Sequence, residues 1–299
     1  MESKLSPTLD ELLELGLGKF TDGVGPKARS TKPHKDFLKI EFDDVEVWDD
    51  FTEENADTAF GSFFEVMIPT SEAVKSAQAA VNDEGHSPLI CVEEDVSALF
   101  ANRVQPILNA ALQQLRVKMQ QAVGIRACRE LSMQFKGMVH QGGNSGPSQA
   151  KRPNLFLFAE GKFVHCFAPI EANQFWVVGD STRAQVFDHH DLLIEEAYSK
   201  ARVTIAKLGI WAKASNTCLA FTMSQHGATV FRFFHKRNED GSLRNGAQAQ
   251  FFPWTAPEGN MAAAKAIWTL IMMSLKEEDR QLVLRNKLRS LDQWPRLQL

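Results

Sequence analysis

The chain has 299 residues, 44% of them hydrophobic and 23% charged, and a formal net charge of −4. This is enough length and apolar content for a full hydrophobic core, and 18 glycines with 12 prolines exclude a collagen-like or low-complexity chain. The charge balance is less basic than that of the usual nucleic-acid-binding domain.

No apolar run approaches the roughly 20 residues that span a bilayer; residues 262–275 are too few and are interrupted by Lys265. Residues 1–14 are acidic and amphipathic, without an apolar signal core. Cys91, Cys128, Cys166 and Cys218 are far apart and never form C-x-x-C, so neither a zinc site nor a disulfide framework is suggested. The expectation is an intracellular protein, cytoplasmic or nuclear, neither secreted nor membrane-bound.

In chain order, Thr8-Leu-Asp-Glu11 has capping-box spacing, with Leu9, Leu12 and Leu13 on one face of a short helix that Gly16 and Gly18 end. Residues 21–36 are rich in Gly, Pro, Lys and Ser and read as a linker. The domain organisation expected is a helix and flexible linker over 1–36, then a single α/β domain over 37–299. Residues 37–47 alternate as a strand does, and 71–82 read as a short helix. The longest helical pattern covers 97–123, with Leu99, Val104, Leu108, Leu112, Leu115 and Met119 recurring and Pro106 required to sit in a first turn or a kink. Strands are expected over 131–140, 154–158, 162–170 and 174–178, a helix over 191–208, and a hairpin of 217–223 with 228–234. Residues 238–246 read as a loop and 248–254 as a further strand, with helices over 258–275 and 278–291. The order implies a mixed β-sheet flanked by helices.

Charge is unevenly placed. Residues 41–60 hold nine acidic residues and no basic one, whereas 101–152 hold eight Lys and Arg against Glu130 alone. The binding residues this singles out are Arg116, Lys118, Arg126, Arg129, Lys151 and Arg152. The asymmetry fits an acidic arm over a basic surface, a basic face for an anionic partner, or two ordinary solvated faces, and the last is preferred.

The P-loop, the dinucleotide fingerprint G-x-G-x-x-G and the nucleophile elbow G-x-S-x-G are all absent. His189-His190 between Asp188 and Asp191 reads as a cap or solvated surface rather than a metal site, because adjacent side chains leave an element in different directions. His165-Cys166 reads as a packed pair, and His226 as an exposed turn residue. The run Phe231, Phe233, Phe234 before His235-Lys236-Arg237 allows base stacking beside a basic patch, but burial on a hairpin is preferred.

One constellation carries chemistry. Arg152-Pro-Asn-Leu-Phe-Leu-Phe158 opens a strand, Ile170-Glu-Ala-Asn173 closes the next, and a helix over 195–208 and the 218–234 hairpin follow. This order resembles the PD-(D/E)xK nuclease-like fold, and residues 150–235 resemble the nuclease-like region in front of fungal-type protein kinase domains. The resemblance implies a restriction-endonuclease-like core over about 97–235, with the catalytic positions at Asn154, Glu171 and Asn173 and an additional helix carboxylate supplied by Glu130. In that family two carboxylates hold a divalent cation and a lysine stabilises charge on the phosphate. Here the motif aspartate is Asn154 and the motif lysine is Asn173, so hydrolysis is expected to be lost and the scaffold kept for binding a protein or nucleic acid, with no cofactor. The alternative is an active Mg²⁺-dependent nuclease with rearranged ligands, using Glu171, Glu130 and Asp180. No kinase follows, since V-A-I-K, H-R-D and D-F-G are missing after residue 254.

Overall fold

A computed structural model describes residues 6–23, 40, 44–83, 87–91, 93–123, 130–135, 155–160, 177–181, 195–214, 217–257, 259–275 and 277–294, with backbone alone at 22, 93, 117–123 and 195–201, in β4 and β5 and in most of β6 as defined below. The chain order is α1 (Leu9–Leu13), β1 (Thr21–Asp22), β2 (Val45–Val47), α2 (Glu53–Phe64), α3 (Glu72–Asn82), β3 (Leu89–Ile90), α4 (Glu93–Arg103) and α5 (Gln105–Val123). It continues with β4 (Glu130–Phe135), β5 (Leu155–Glu160), β6 (Val177–Ser181), α6 (Glu195–Ala214), β7 (Leu219–Met223), β8 (Gly227–Arg237), β9 (Leu243–Pro253), α7 (Ala263–Ser274) and α8 (Glu277–Arg280). Seven strands form one mixed sheet in the order β2-β9-β8-β7-β6-β5-β4, and β1 pairs with β3 in a separate parallel ribbon. Within the large sheet the β2–β9 and β6–β7 pairs are parallel and the others antiparallel. The β6–β7 pair is joined through α6, because parallel neighbours need a crossover that a tight turn cannot supply.

Helices lie on both faces. On one face α1, α2, α4, α5 and α7 share a large core that includes Leu9, Trp48, Phe60, Phe100 and Trp268. On the other, Ile205, Leu208 and Trp211 of α6 pack on Phe231, Phe233, Ala247 and Ala249. Strand β8 runs through the middle, with Ala228 and Val230 turned to the first core and Phe231 and Phe233 to the second. Phe231, Phe233 and Phe234 are therefore buried. Burial is as expected, but its cause is cover on both faces rather than alternation between core and water.

Helix α1 has the full capping box, with the Glu11 N–H donating to Thr8 Oγ1 and the Thr8 N–H to the Glu11 carboxylate. Its leucines are buried in the shared core, so this helix is part of the main packing unit. Ser71 caps α3 through the Val74 N–H. The long helix expected over 97–123 is two, broken at Val104. Pro106 falls in the first turn of α5, where its missing N–H has no intrahelical acceptor to lose. The expected strand over 162–170 lies outside the described residues. The loop over 238–246 is shorter than expected, since β9 begins at Leu243 and pairs along its full length with β8.

The C-terminal helix expected over 278–291 is not formed. Beyond the single turn of α8 the chain makes two 3-10 turns, Arg285–Lys287 and Leu291–Gln293. The sheet competes for its backbone: the Cys218 N–H donates to the Arg280 carbonyl (2.5 Å) and the His235 N–H to that of Val283 (2.9 Å). Leu291 and Trp294 are buried against the first core.

Candidate functional site

The register of the β4–β5–β6 ladder places two of the residues singled out by the nuclease resemblance, Glu130 and Asp180. Glu130 opens β4 opposite Glu160, and Phe135 lies opposite Leu155. Glu130 is thus about 17 Å along the ladder from Leu155, taking five steps of roughly 3.3 Å. Asn154, Glu171 and Asn173 lie outside the described residues, as do Arg126, Arg129, Lys151, Arg152, His165, Cys166, His189 and His190. Asp180 follows Gly179, the partner of Leu155, so its backbone stands beyond the Leu155 end of β5. Lys118 belongs to α5, its side chain outside the description, and Arg116 on the same helix is half-buried and engaged.

The charged stretches find partners that the sequence did not indicate. Arg103 is buried and donates to the Leu17 and Lys19 carbonyls, stapling α4 to the segment that follows α1. It is a structural cation and not part of an exposed basic face. The acidic stretch is no detached arm either, for Trp48, Phe51, Ala56, Ala59 and Phe60 anchor it in the core. Its carboxylates pair with the C-terminal half of the chain: Asp44 with Arg244 (3.0 Å), Glu46 with Arg285 (2.7 Å) and Lys236 (3.8 Å), and Glu53 and Asp57 with Lys265 (2.9 and 3.0 Å).

Two of these contacts form clusters around buried cations. In the first, Lys265 lies within the apolar helix α7 and its ammonium meets Asp10, Glu53 and Asp57 at 2.9–3.0 Å, joining α1, α2 and α7. Burial alone would lower its pKa, but the three carboxylates outweigh burial and hold it above the ordinary lysine value. Asp57 moves upward, chiefly through desolvation and against the pull of Lys265. A lysine held charged is a poor nucleophile, and the cluster reads as a structural clip.

The second cluster lines a polar cavity of about 590 Å³ between β2, the β8–β9 pair and the C-terminal 3-10 turns, with Glu46, Asp49, Asp50, Arg232, Arg285 and Asp292 in its walls. Arg232 projects from β8 and is only 3% exposed. Its Nε and one terminal nitrogen donate to Gln248 Oε1 (3.0 and 2.6 Å), its other terminal nitrogen donates to the Arg289 carbonyl (2.5 Å), and its guanidinium lies 4.5 Å over the Trp48 ring. Burial draws its pKa down, opposed by the nearby Cys218 and Asp50. Asp50 in turn accepts the Leu291 N–H, which ties the C-terminal turn to the rim. Beneath, burial pushes the Cys218 thiol up to about 12, against the opposing field of Arg232, so it is an inert thiol at neutral pH.

Sequence reasoning missed both Arg232 and Lys265 as organising residues. The available signal was a lone cation inside an apolar run, Phe-Arg-Phe-Phe at 231–234 and Ala-Lys-Ala-Ile at 264–267; such a cation needs buried partners from elsewhere in the chain. Among the described residues no group of three or more His, Cys, Asp or Glu is arranged to hold a metal ion, and no helix is long and apolar enough to cross a membrane. Comparison of the chain with protein-family models, with curated proteins and with solved structures returns no match.

Proposed function

We propose that the chain is a non-catalytic interaction or regulatory protein that binds a protein or nucleic-acid partner on a degenerate nuclease-like α/β scaffold. The observation that carries this reading is chemical: of the three core catalytic positions implied by the resemblance, 154 and 173 are amides and only Glu171 is ionisable. An amide is a far poorer ligand than a carboxylate for a hard cation, so the set fits Mg²⁺ badly and no metal-assisted step is derived from it. Asn173 has no charge to set against a developing phosphoryl anion. The β4–β5 register supports the reading, because it holds Glu130 at the ladder end remote from Leu155.

A second reading, an active Mg²⁺-dependent nuclease with rearranged ligands, has one observation in its favour. The β5–β6 register brings the Asp180 backbone to the strand end that a ligand at 154 would share, and Asp180 with Glu171 would supply two carboxylates. Calorimetric titration of Mg²⁺ and Mn²⁺ into the full chain, with Glu171→Ala beside it, separates the two. The non-catalytic reading expects identical heats from both proteins and no cleavage of single- or double-stranded DNA. Metal binding or cleavage that disappears in Glu171→Ala would overturn it.

A further inference from the structure

We infer that residues 281–294 form a strap that opens as a unit while the sheet and α7 stay folded, held shut by Arg232 beneath it and by ion pairs along its length. The inference goes beyond the interaction-protein reading and does not depend on it. Upstream of the strap every residue of α7 is buried. Between 281 and 290, by contrast, no side chain is buried, and the backbone makes one short 3-10 turn before a second at Leu291–Gln293. The middle of the strap borders a polar cavity: Arg285, Leu288 and Ser290 line it from the strap, and Glu46, Asp50, Arg232 and Gln248 from the body. Lifting the strap therefore uncovers little apolar surface, chiefly Leu291, Trp294 and the half-buried Leu282.

The fastenings between strap and body are polar. The His235 N–H donates to the Val283 carbonyl (2.9 Å), Arg232 to the Arg289 carbonyl (2.5 Å), and the Leu291 N–H to the Asp50 carboxylate. Arg285 pairs with Glu46 (2.7 Å) and Arg289 with Asp279 (3.2 Å), the two arginine side chains being 41% and 40% exposed. Hydrogen bonds of this kind are exchanged for bonds to water at small net cost, and partly exposed ion pairs add little. A segment with few buried apolar side chains and solvent-facing bonds belongs to the low-stability end of a fold, and the wholly buried α7 to the other. Opening releases the His235 N–H, the Asp50 carboxylate and one terminal nitrogen of Arg232 together. The Glu46–Arg285 and Asp279–Arg289 pairs thus set how often this hidden polar surface is presented.

The test is amide hydrogen exchange of the full chain in a urea series below the unfolding transition, read by mass spectrometry on overlapping peptides from the strap and from α7. The Lys287, Gln293 and Trp294 amides are each bonded within the strap. They are expected to share one urea dependence, less than about half as steep as that of α7, because opening the strap exposes far less surface than global unfolding. Glu46→Gln is expected to speed all three by about three- to tenfold, as the loss of its pairs with Arg285 and Lys236 destabilises the closed form. Thr8→Ala, at the cap of α1 and outside the strap, is expected to speed α7 by about fivefold through lower global stability and to leave the strap within about twofold. A strap as steep in urea as α7, slopes that differ among its three amides, equal acceleration of strap and α7 by Thr8→Ala, or a strap unmoved by Glu46→Gln would overturn the inference. None of these outcomes bears on the metal titration, so the two readings fail separately.

Discussion

Replacing Lys265 by methionine keeps the stem that packs in α7 and removes only the charge. The native ammonium, its side chain 4% exposed, pairs with Asp10, Glu53 and Asp57, which are 39%, 24% and 49% exposed. Stripping one partner from a fully buried ion pair costs about 3–5 kcal/mol. The carboxylates here are partly solvated and screened, which lowers the expectation to about 2–3 kcal/mol, or a melting temperature roughly 4–12 °C lower for a chain of this size. The pH dependence identifies the cause. In the native chain the raised lysine pKa keeps the ammonium's contribution intact throughout the acid and neutral range, to be lost only as pH rises through the elevated folded value. In the variant three carboxylates face one another without a cation, so their folded pKa values rise and the destabilisation is relieved as pH falls towards the ordinary carboxylate range. Differential scanning calorimetry of both proteins from pH 8 to pH 4 should therefore show the gap in melting temperature narrowing. A gap unchanged across that range would refute the electrostatic account and assign the loss to packing.

Three further outcomes follow from particular contacts. Gly16 has φ +57°, and a Cβ there would meet the Trp254 carbonyl, so Gly16→Ala should cost about 2–4 kcal/mol in urea unfolding by adding left-handed strain to a backbone clash. Thr8→Ala removes one half of the α1 capping box and should cost about 1 kcal/mol, whereas Thr8→Ser should restore most of it. Cys218 should resist iodoacetamide at pH 8 in the folded chain, its thiol pushed up to about 12 by burial, and react once urea unfolds the protein; with Cys91, Cys128 and Cys166 changed to serine, rapid alkylation of the native form would contradict its burial.

What local chemistry encodes was legible along the chain. The capping box at Thr8, the short helix beginning near Ser71, the first-turn or kink position demanded by Pro106 and the β7–β8 hairpin all follow from patterns that span a few residues, because capping and alternation are decided by neighbours in sequence. The mixed sheet with helices on both faces also followed from the order of elements. The C-terminal helix did not form, since its helical periodicity lost to hydrogen bonds with Cys218, just ahead of β7, and His235 on β8, which no local pattern could place beside it. The same limit applied to the site. The acidic stretch was visible as composition, but its partners Lys236, Arg244, Lys265 and Arg285 lie about 190–240 residues further along the chain.

By itself the sequence determined the α/β class and the main local signals. Only the tertiary structure decided that α1 and the acidic stretch belong to the core, that Lys265 and Arg232 are buried organising cations, and that a polar cavity opens beside β2. Burial and charge pairing are properties of elements brought together from distant parts of the chain, and a buried charge is tolerated only once those partners have met it.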